Sequence, residues 1–261
     1  MKNKEEKNKL NKEALIKLGS KTAKAGFSNE DDIVIKFNNW QKDTDAKEWL
    51  GLMGYKLDEV EKVEAVKLHG YKTDVQVQIT IYLKKAISVE NLSIKLVSNT
   101  TGFNQIDKRW VKNYIEMWDI PADITLILQK YTGEVKSNKK DLRDPRRMFF
   151  DEMLPEEVSK VLSFFTKNKI LIVSELIKGR GIFSAGWMLV ALKLGDEVRW
   201  TLKSINHALN IFSEGEVLIT KQGNLRIGKI GMQRKGGDNG RDSANMLQFK
   251  ANPLLLFNDE L

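Results

Sequence analysis

Apolar and polar residues alternate along Val75-Gln76-Val77-Gln78-Ile79-Thr80-Ile81-Tyr82-Leu83. After Lys84-Lys85 and a short polar connection, a second apolar run follows, Leu92-Ser93-Ile94-Lys95-Leu96-Val97. Period-two alternation of β-branched and polar residues predicts strands. We expect the two to pair as an antiparallel hairpin turning near Lys84-Lys85, which sets Asp74 opposite or near Lys95. Directly opposite residues share a face, and Ser93, two residues before Lys95, lies on that face too.

Most of the remaining pattern reads as helix. Ser28-Asn29-Glu30 opens one, with Ser28 or Asn29 as cap and Glu30, Asp31 and Asp32 at its positive end. Ile33, Phe37 and Trp40 recur on its core face. Trp49, Leu50, Met53 and residues 57–66 extend a mostly helical, mixed-charge region up to the first strand. Residues 106–118 read as helix, with Trp110, Tyr114 and Trp118 four apart as a core stripe. Pro155 starts another helix from its first turn, with Val158, Val161, Leu162 and Phe165 on one face. Residues 200–212 read helical, whereas 170–173 and 187–194 are apolar runs open to either assignment. Residues 216–220, a Gln222-Gly223-Asn224 turn and residues 225–234 predict a second hairpin. Residues 98–105 form an amide-rich loop around Phe103, and residues 133–147 a polar, basic connection.

The 261 residues, 41% of them hydrophobic, suffice for one domain over residues 19–261 behind a lysine-rich extension at 1–18. With no cysteine, a thiolate metal site and a Cys nucleophile are excluded. With only His69 and His207, so is a histidine-rich zinc centre. No apolar run approaches the roughly 20 residues of a membrane span, so a soluble, cytoplasmic protein is expected. The net charge of +8 suggests a polyanionic partner. Eight lysines against three glutamates fall within residues 1–24, and a second cationic surplus lies in 226–250, among glycines and amides.

A carboxylate facing a polar-x-Lys pair on the next strand suits a metal-dependent phosphodiesterase. The carboxylate holds a divalent ion, and the lysine steadies the attacking water or the charge growing on phosphorus. Alone, such a pair is most often a solvated ion pair worth little. Glu30 either adds an outer ligand or simply favours the helix dipole. The segment Gln233-Arg234-Lys235-Gly236-Gly237-Asp238-Asn239-Gly240-Arg241 is not a phosphate loop of the G-x-x-x-x-G-K type. Its glycines allow close backbone approach, and its Arg, Lys, Asn and Gln are the side chains that read base edges or grip phosphates. An exposed hairpin tip is the plain alternative. Phe103 either tucks under its own loop or wedges a base step from the minor groove, with Gln105 bonding the flanking pairs.

Several strings carry a resemblance. Leu18 to Lys24, Gly26-Phe27, Lys95 to Asn99, Gly102 to Lys108, Gln233 to Arg241 and Ala244 to Lys250 resemble the HinP-type restriction endonucleases, which cut GCGC. Lys72-Thr73-Asp74 and Gln248-Phe249-Lys250 are more distantly similar to the Msp-type enzymes. Both groups belong to the PD-(D/E)xK nuclease superfamily. The resemblance implies an α/β fold, a central mixed β-sheet flanked by helices. It implies a type II enzyme that hydrolyses double-stranded DNA at a short G·C-rich palindrome with Mg²⁺-activated water, leaving a 5′-phosphate and a 3′-hydroxyl. Asp74 is then the metal-binding aspartate and Lys95 the motif lysine, with the Ile94 backbone oxygen completing the shell. Ser93 departs from the pattern: most of the superfamily has an acid there and these relatives an amide, so a short neutral hydroxyl reaches the ion only through water. Phe103, Asn104 and Gln105 fall in the DNA-distorting loop, Lys250 at a base-contacting position, and Arg234, Lys235 and Asn239 on the major-groove face. A cognate DNA methyltransferase is implied as functional partner. Monomer and dimer are both compatible, and a non-catalytic DNA-binding protein or a CCGG target are the rival readings.

Overall fold

A computed structural model describes residues 24–25, 27–68, 77–139, 141–236 and 241–260. In chain order its elements are α1 (residues 27–38), α2 (Thr44–Leu52), β1 (Val60–Lys67), β2 (Val77–Leu83), β3 (Ala86–Val97), β4 (Asn104–Arg109), α3 (Val111–Trp118), α4 (Ala122–Thr132), α5 (Pro155–Lys167), α6 (Lys169–Ile177), β5 (Trp187–Leu194), β6 (Glu197–Ser204), α7 (Ile205–Ser213), β7 (Val217–Ile219), β8 (Leu225–Ile227), β9 (Ile230–Arg234) and β10 (Leu247–Ala251), with short 3₁₀ turns between. Contacts divide them into two compact units. One comprises the described residues up to Thr100 with Arg180–Ile205; the other comprises Thr101–Gly179 with the described residues from Asn206 onward.

The first unit is built on a mixed sheet in the order β1-β2-β3-β5-β6. The β2–β3 hairpin turns at Lys84-Lys85, pairing Leu83 with Ala86 and Val77 with Leu92. Its alternation is the cause: Val77, Ile79 and Ile81 are fully buried between half-exposed Gln78, Thr80 and Tyr82. They pack with Leu92 and Ile94 against Ile33, Phe37 and Trp40, the core face read for the first helix. Each such burial contributes about 1.5–3 kcal/mol. β5, the apolar run left open by the sequence, lies parallel to β3, setting Ser93 beside Met188 and Lys95 beside Val190. Parallel neighbours need a long crossover, which here is all the chain between β3 and β5.

Three expectations for this unit change. Residues 60–66 are strand, not helix: a bulge between Val60 and Lys62 sets the buried positions at Val60, Val63 and Ala65. A three-then-two spacing imitates a helical face. Residues 200–204 likewise belong to β6, with Thr201 and Leu202 buried on opposite faces of the strand. Finally, helix is already present at Phe27, so Ser28 and Asn29 are both interior residues rather than caps, and Asn29 is almost wholly buried.

The second unit holds an antiparallel sheet in the order β4-β10-β9-β8-β7. Residues 104–109 are a strand where helix had been expected from 106. Trp110 ends it as the residue preceding α3, and Tyr114 and Trp118 stack in the core at 4.8 Å between ring centroids. β4 carries little apolar pattern because its buried Asp107 is satisfied by the Tyr114 hydroxyl at 2.6 Å and by Arg109 at 2.8 Å. The expected turn at 222–224 is present, with Gly223 at φ 72°. The strand after it is broken by a second reversal at Gly228, φ 56°, where a Cβ would meet the Phe212 and Ser213 carbonyls. α5 starts at Pro155 as expected, its Glu157 accepting a bond from the Leu154 amide.

Candidate active site

Two residues of the sequence-derived site, Asp74 and Asn239, lie outside the described residues. The others divide between the units. On β3, Ser93 is fully buried and Lys95 is 8% exposed. They are two residues apart and so share a face, while Leu92 and Ile94 belong to the hydrophobic core. The Ser93 hydroxyl has no hydrogen-bond partner among the described residues. A buried hydroxyl without a partner costs roughly 1–3 kcal/mol, and such groups mark places where a missing ligand or water completes the structure. Burying an ammonium such as that of Lys95 is more expensive still unless it is compensated.

Glu30 stands within electrostatic reach of Lys95. Its carboxyl is held above the usual range by burial, against the opposing effect of Lys67, whose ammonium lies 3.3 Å away. Lys67 also donates to Asp31 at 2.9 Å and to the Phe27 carbonyl at 2.9 Å. Burial lowers the Lys67 pKa, yet its two acidic partners hold it above its usual value. One turn of α1 thus anchors the last residue of β1. Next to Glu30 in sequence, Asn29 buries both polar side-chain atoms without a partner among the described residues. Lys67 carries no signal in the sequence beyond a cation ending an apolar strand, and Ser28 and Asn29, the two cap candidates, both lie inside α1.

A hard divalent cation takes oxygen ligands. Among the described residues no group of three or more His, Cys, Asp or Glu stands together. The oxygen donors about β3 are the unpartnered Ser93 hydroxyl, the Ile94 carbonyl and, on α1, the Glu30 carboxylate. By donor type these oxygens suit a hard cation, and a further carboxylate would be needed to bind one.

In the second unit, Asn104 and Gln105 start β4 instead of completing the preceding loop. Gln105 pairs with Lys250 on β10, at a bulge between Phe249 and Lys250. Gln248, buried on the same strand, donates from its Nε2 to the Gln105 Oε1 at 3.1 Å. That bond occupies the carbonyl side of the exposed Gln105 amide and leaves its NH₂ as the outward donor. Gln248 thus orients the Gln105 side chain, and in the sequence it stood out only as part of a matching string. Phe103 is 57% exposed. The glycine before it holds φ 69°, and a Cβ there would strike the Asn252 side chain. Lys235 continues β9, its amide bonded to the Met246 carbonyl at 2.8 Å. Arg234 is turned inward: it is 9% exposed and donates to the Thr132 carbonyl at 2.8 Å and to Asn245 Oδ1 at 2.6 Å. It steadies the C-terminus of α4 instead of presenting its fork on the surface. No helix among the described residues is long and apolar enough to cross a membrane.

The family model described as R.HinP1I restriction endonuclease matches residues 53–257. A crystal structure of the restriction endonuclease MspI in complex with its cognate DNA superposes with a TM-score of 0.62 at 14% identity, covering 87% of this chain and 88% of that one. No curated protein sequence matches the chain.

Proposed function

We infer, from the chain's membership of the R.HinP1I restriction endonuclease family over residues 53–257, how it cuts DNA and where. The protein is a restriction endonuclease, a site-specific nuclease, with the mixed α/β fold of MspI. Its substrate in our reading is double-stranded DNA, as for the DNA-bound MspI, at the palindrome GCGC. The products are a 5′-phosphate and a 3′-hydroxyl.

Asp74 and the Ile94 carbonyl would hold a Mg²⁺ ion, with Ser93 reaching it through water. When bound, such an ion lowers the pKa of a water and offsets charge on the phosphoryl oxygens. Lys95 does the protein's own part. Its buried ammonium, in a medium of low dielectric, donates toward the scissile phosphate and stabilises the charge that grows there. Glu30, tied to Lys67, tempers the positive field about Lys95. Phe103 inserts at a base step, Asn104, Gln105 and Lys250 contact the adjoining pairs, and Lys235 and Asn239 approach the major-groove face. Arg234 holds the segment that carries them. A partner methyltransferase with the same target follows from an activity that would otherwise cut its own genome.

One observation carries this reading: a buried lysine and an unpartnered buried hydroxyl share a face of β3, on a hairpin that pairs Val77 with Leu92. Asp74 precedes Val77 by three residues and Lys95 follows Leu92 by three. The test is digestion of a plasmid of known sequence with and without Mg²⁺, followed by end mapping. Metal-dependent ends at GCGC support the proposal, whereas ends at another sequence, or cutting that persists in chelator, contradict its target or its metal.

A further inference from the structure

In the second unit, Lys136, Arg146, Arg241 and Asp242, none of them given a role above, join Arg234 and Asn245 around an open cavity of about 330 Å³. Its polar wall consists of Lys136, Arg146, Arg234, Arg241, Asp242 and Asn245. Four cations face one carboxylate. Arg146 is already engaged by Asp144, at 2.7 Å from its Nε, but Asp144 serves Arg147 too, at 3.8 Å. Arg147 buries its Nε and Nη1 without a hydrogen-bond partner among the described residues, lying instead 3.8 Å over the Phe149 ring. Arg234 bonds the end of α4, whose dipole supplies about half a negative charge. With Asp144 and that half charge set against them, the cations of the wall are still in surplus.

The wall is also fixed in place. Asn245 accepts from Arg234 and donates to the Gly133 carbonyl at 3.2 Å. Gly133 holds φ 85°, and a Cβ there would run into the Arg146 carbonyl. Arg234 has a lowered pKa, first through burial and then through the Arg146 charge, with Asp144 opposing. Converging cations that repel one another in a polar cavity are what an oxyanion relieves.

We propose that this cavity is a phosphate-binding site, taking either a backbone phosphate of a duplex or a free phosphate group. Only the first of these sources rests on the DNA-cutting reading. Fixed guanidiniums grip a phosphate through parallel N–H donors, as a lysine-only patch does not.

The test uses the full chain and two exposed positions, Lys136→Gln and Arg241→Gln, so that folding is retained. Thermal unfolding is followed in sodium phosphate and in sodium chloride of equal ionic strength. Binding of a duplex without GCGC is followed across a KCl series in chelator. We expect phosphate to raise the wild-type melting temperature above chloride and both variants to lose that rise. If the bound group is a duplex phosphate, each variant also lowers the slope of log K against log salt by about one. A rise that both variants lose, with unaltered slopes, upholds the site and assigns it to a free phosphate, whereas a rise that the variants keep is the general stabilising effect of phosphate and overturns the proposal. No phosphate-specific rise in the wild type overturns the proposal, whatever the slopes. The phosphate arm contains no DNA, so failure of the nuclease reading leaves it legible.

Discussion

In the proposed reading Ser93 stands where the resembled motif has an acid or an amide, and its burial sharpens the consequence. A serine hydroxyl is too short and too weak a ligand to replace a carboxylate, so its place beside Lys95 suits a water-mediated contact. Ser93→Glu supplies a direct ligand. We expect the Mg²⁺ concentration for half-maximal cleavage to fall by on the order of tenfold, measured as initial rates across a Mg²⁺ titration. Unaltered metal dependence would remove Ser93 from the shell. Phe103 makes a separate claim, that an exposed ring performs deformation and not attraction. Phe103→Ala should slow cleavage by about tenfold or more while leaving nonspecific duplex affinity within about twofold. Equal losses in gel-shift and cleavage assays would dispose of the wedge.

Elements explain what was legible and what was not. The β2–β3 hairpin could be read because one face is buried and the other half-exposed, so its polarity alternates as strictly as its side chains do. β1 could not, because its bulge replaced alternation with a three-residue step. β4 hid behind a buried carboxylate network, which gives a strand no apolar signature. The β3 residues Ser93 and Lys95 therefore stood out in the pattern, whereas Lys67 and Gln248, which hold neighbours in place, carried no pattern of their own. Tyr55 is a similar case. Its hydroxyl lies 2.6 Å from both Ser88 and Glu90, tying the chain after α2 to β3. Burial, then Glu90, pushes its pKa up to about 12 from an ordinary 10. The neutral hydroxyl is the form the fold favours, so this stabilisation is complete below pH 10 and is lost as pH rises through about 12. Tyr55→Phe should cost about 1 kcal/mol at neutral pH. Its deficit against wild type should shrink in denaturant titrations above pH 10; a constant deficit would mean the ionisable hydroxyl is not what matters.

At the scale of the whole molecule, a surplus of eight positive charges draws the protein to a polyanion but selects no sequence. The lysines of residues 1–18 belong to that general term. Removing them should weaken duplex binding, flatten its salt dependence and leave kcat at saturating DNA unchanged. A fall in kcat would place the segment in the reaction itself. In the reading proposed above, selection is assigned instead to the sheet of the second unit, where Gln105 and Lys250 pair across β4 and β10. In the same reading the cut is assigned to the first unit, where Lys95 lies buried on β3. Whether one carboxylate joins that lysine is the central claim. It is tested most directly by comparing wild type with Asp74→Ala on GCGC duplex, measuring single-turnover cleavage in Mg²⁺ and affinity in chelator. We expect cleavage to be abolished and affinity to stay within about threefold, since the charge that positions the duplex lies elsewhere. Cleavage by the variant at the wild-type rate would contradict the account.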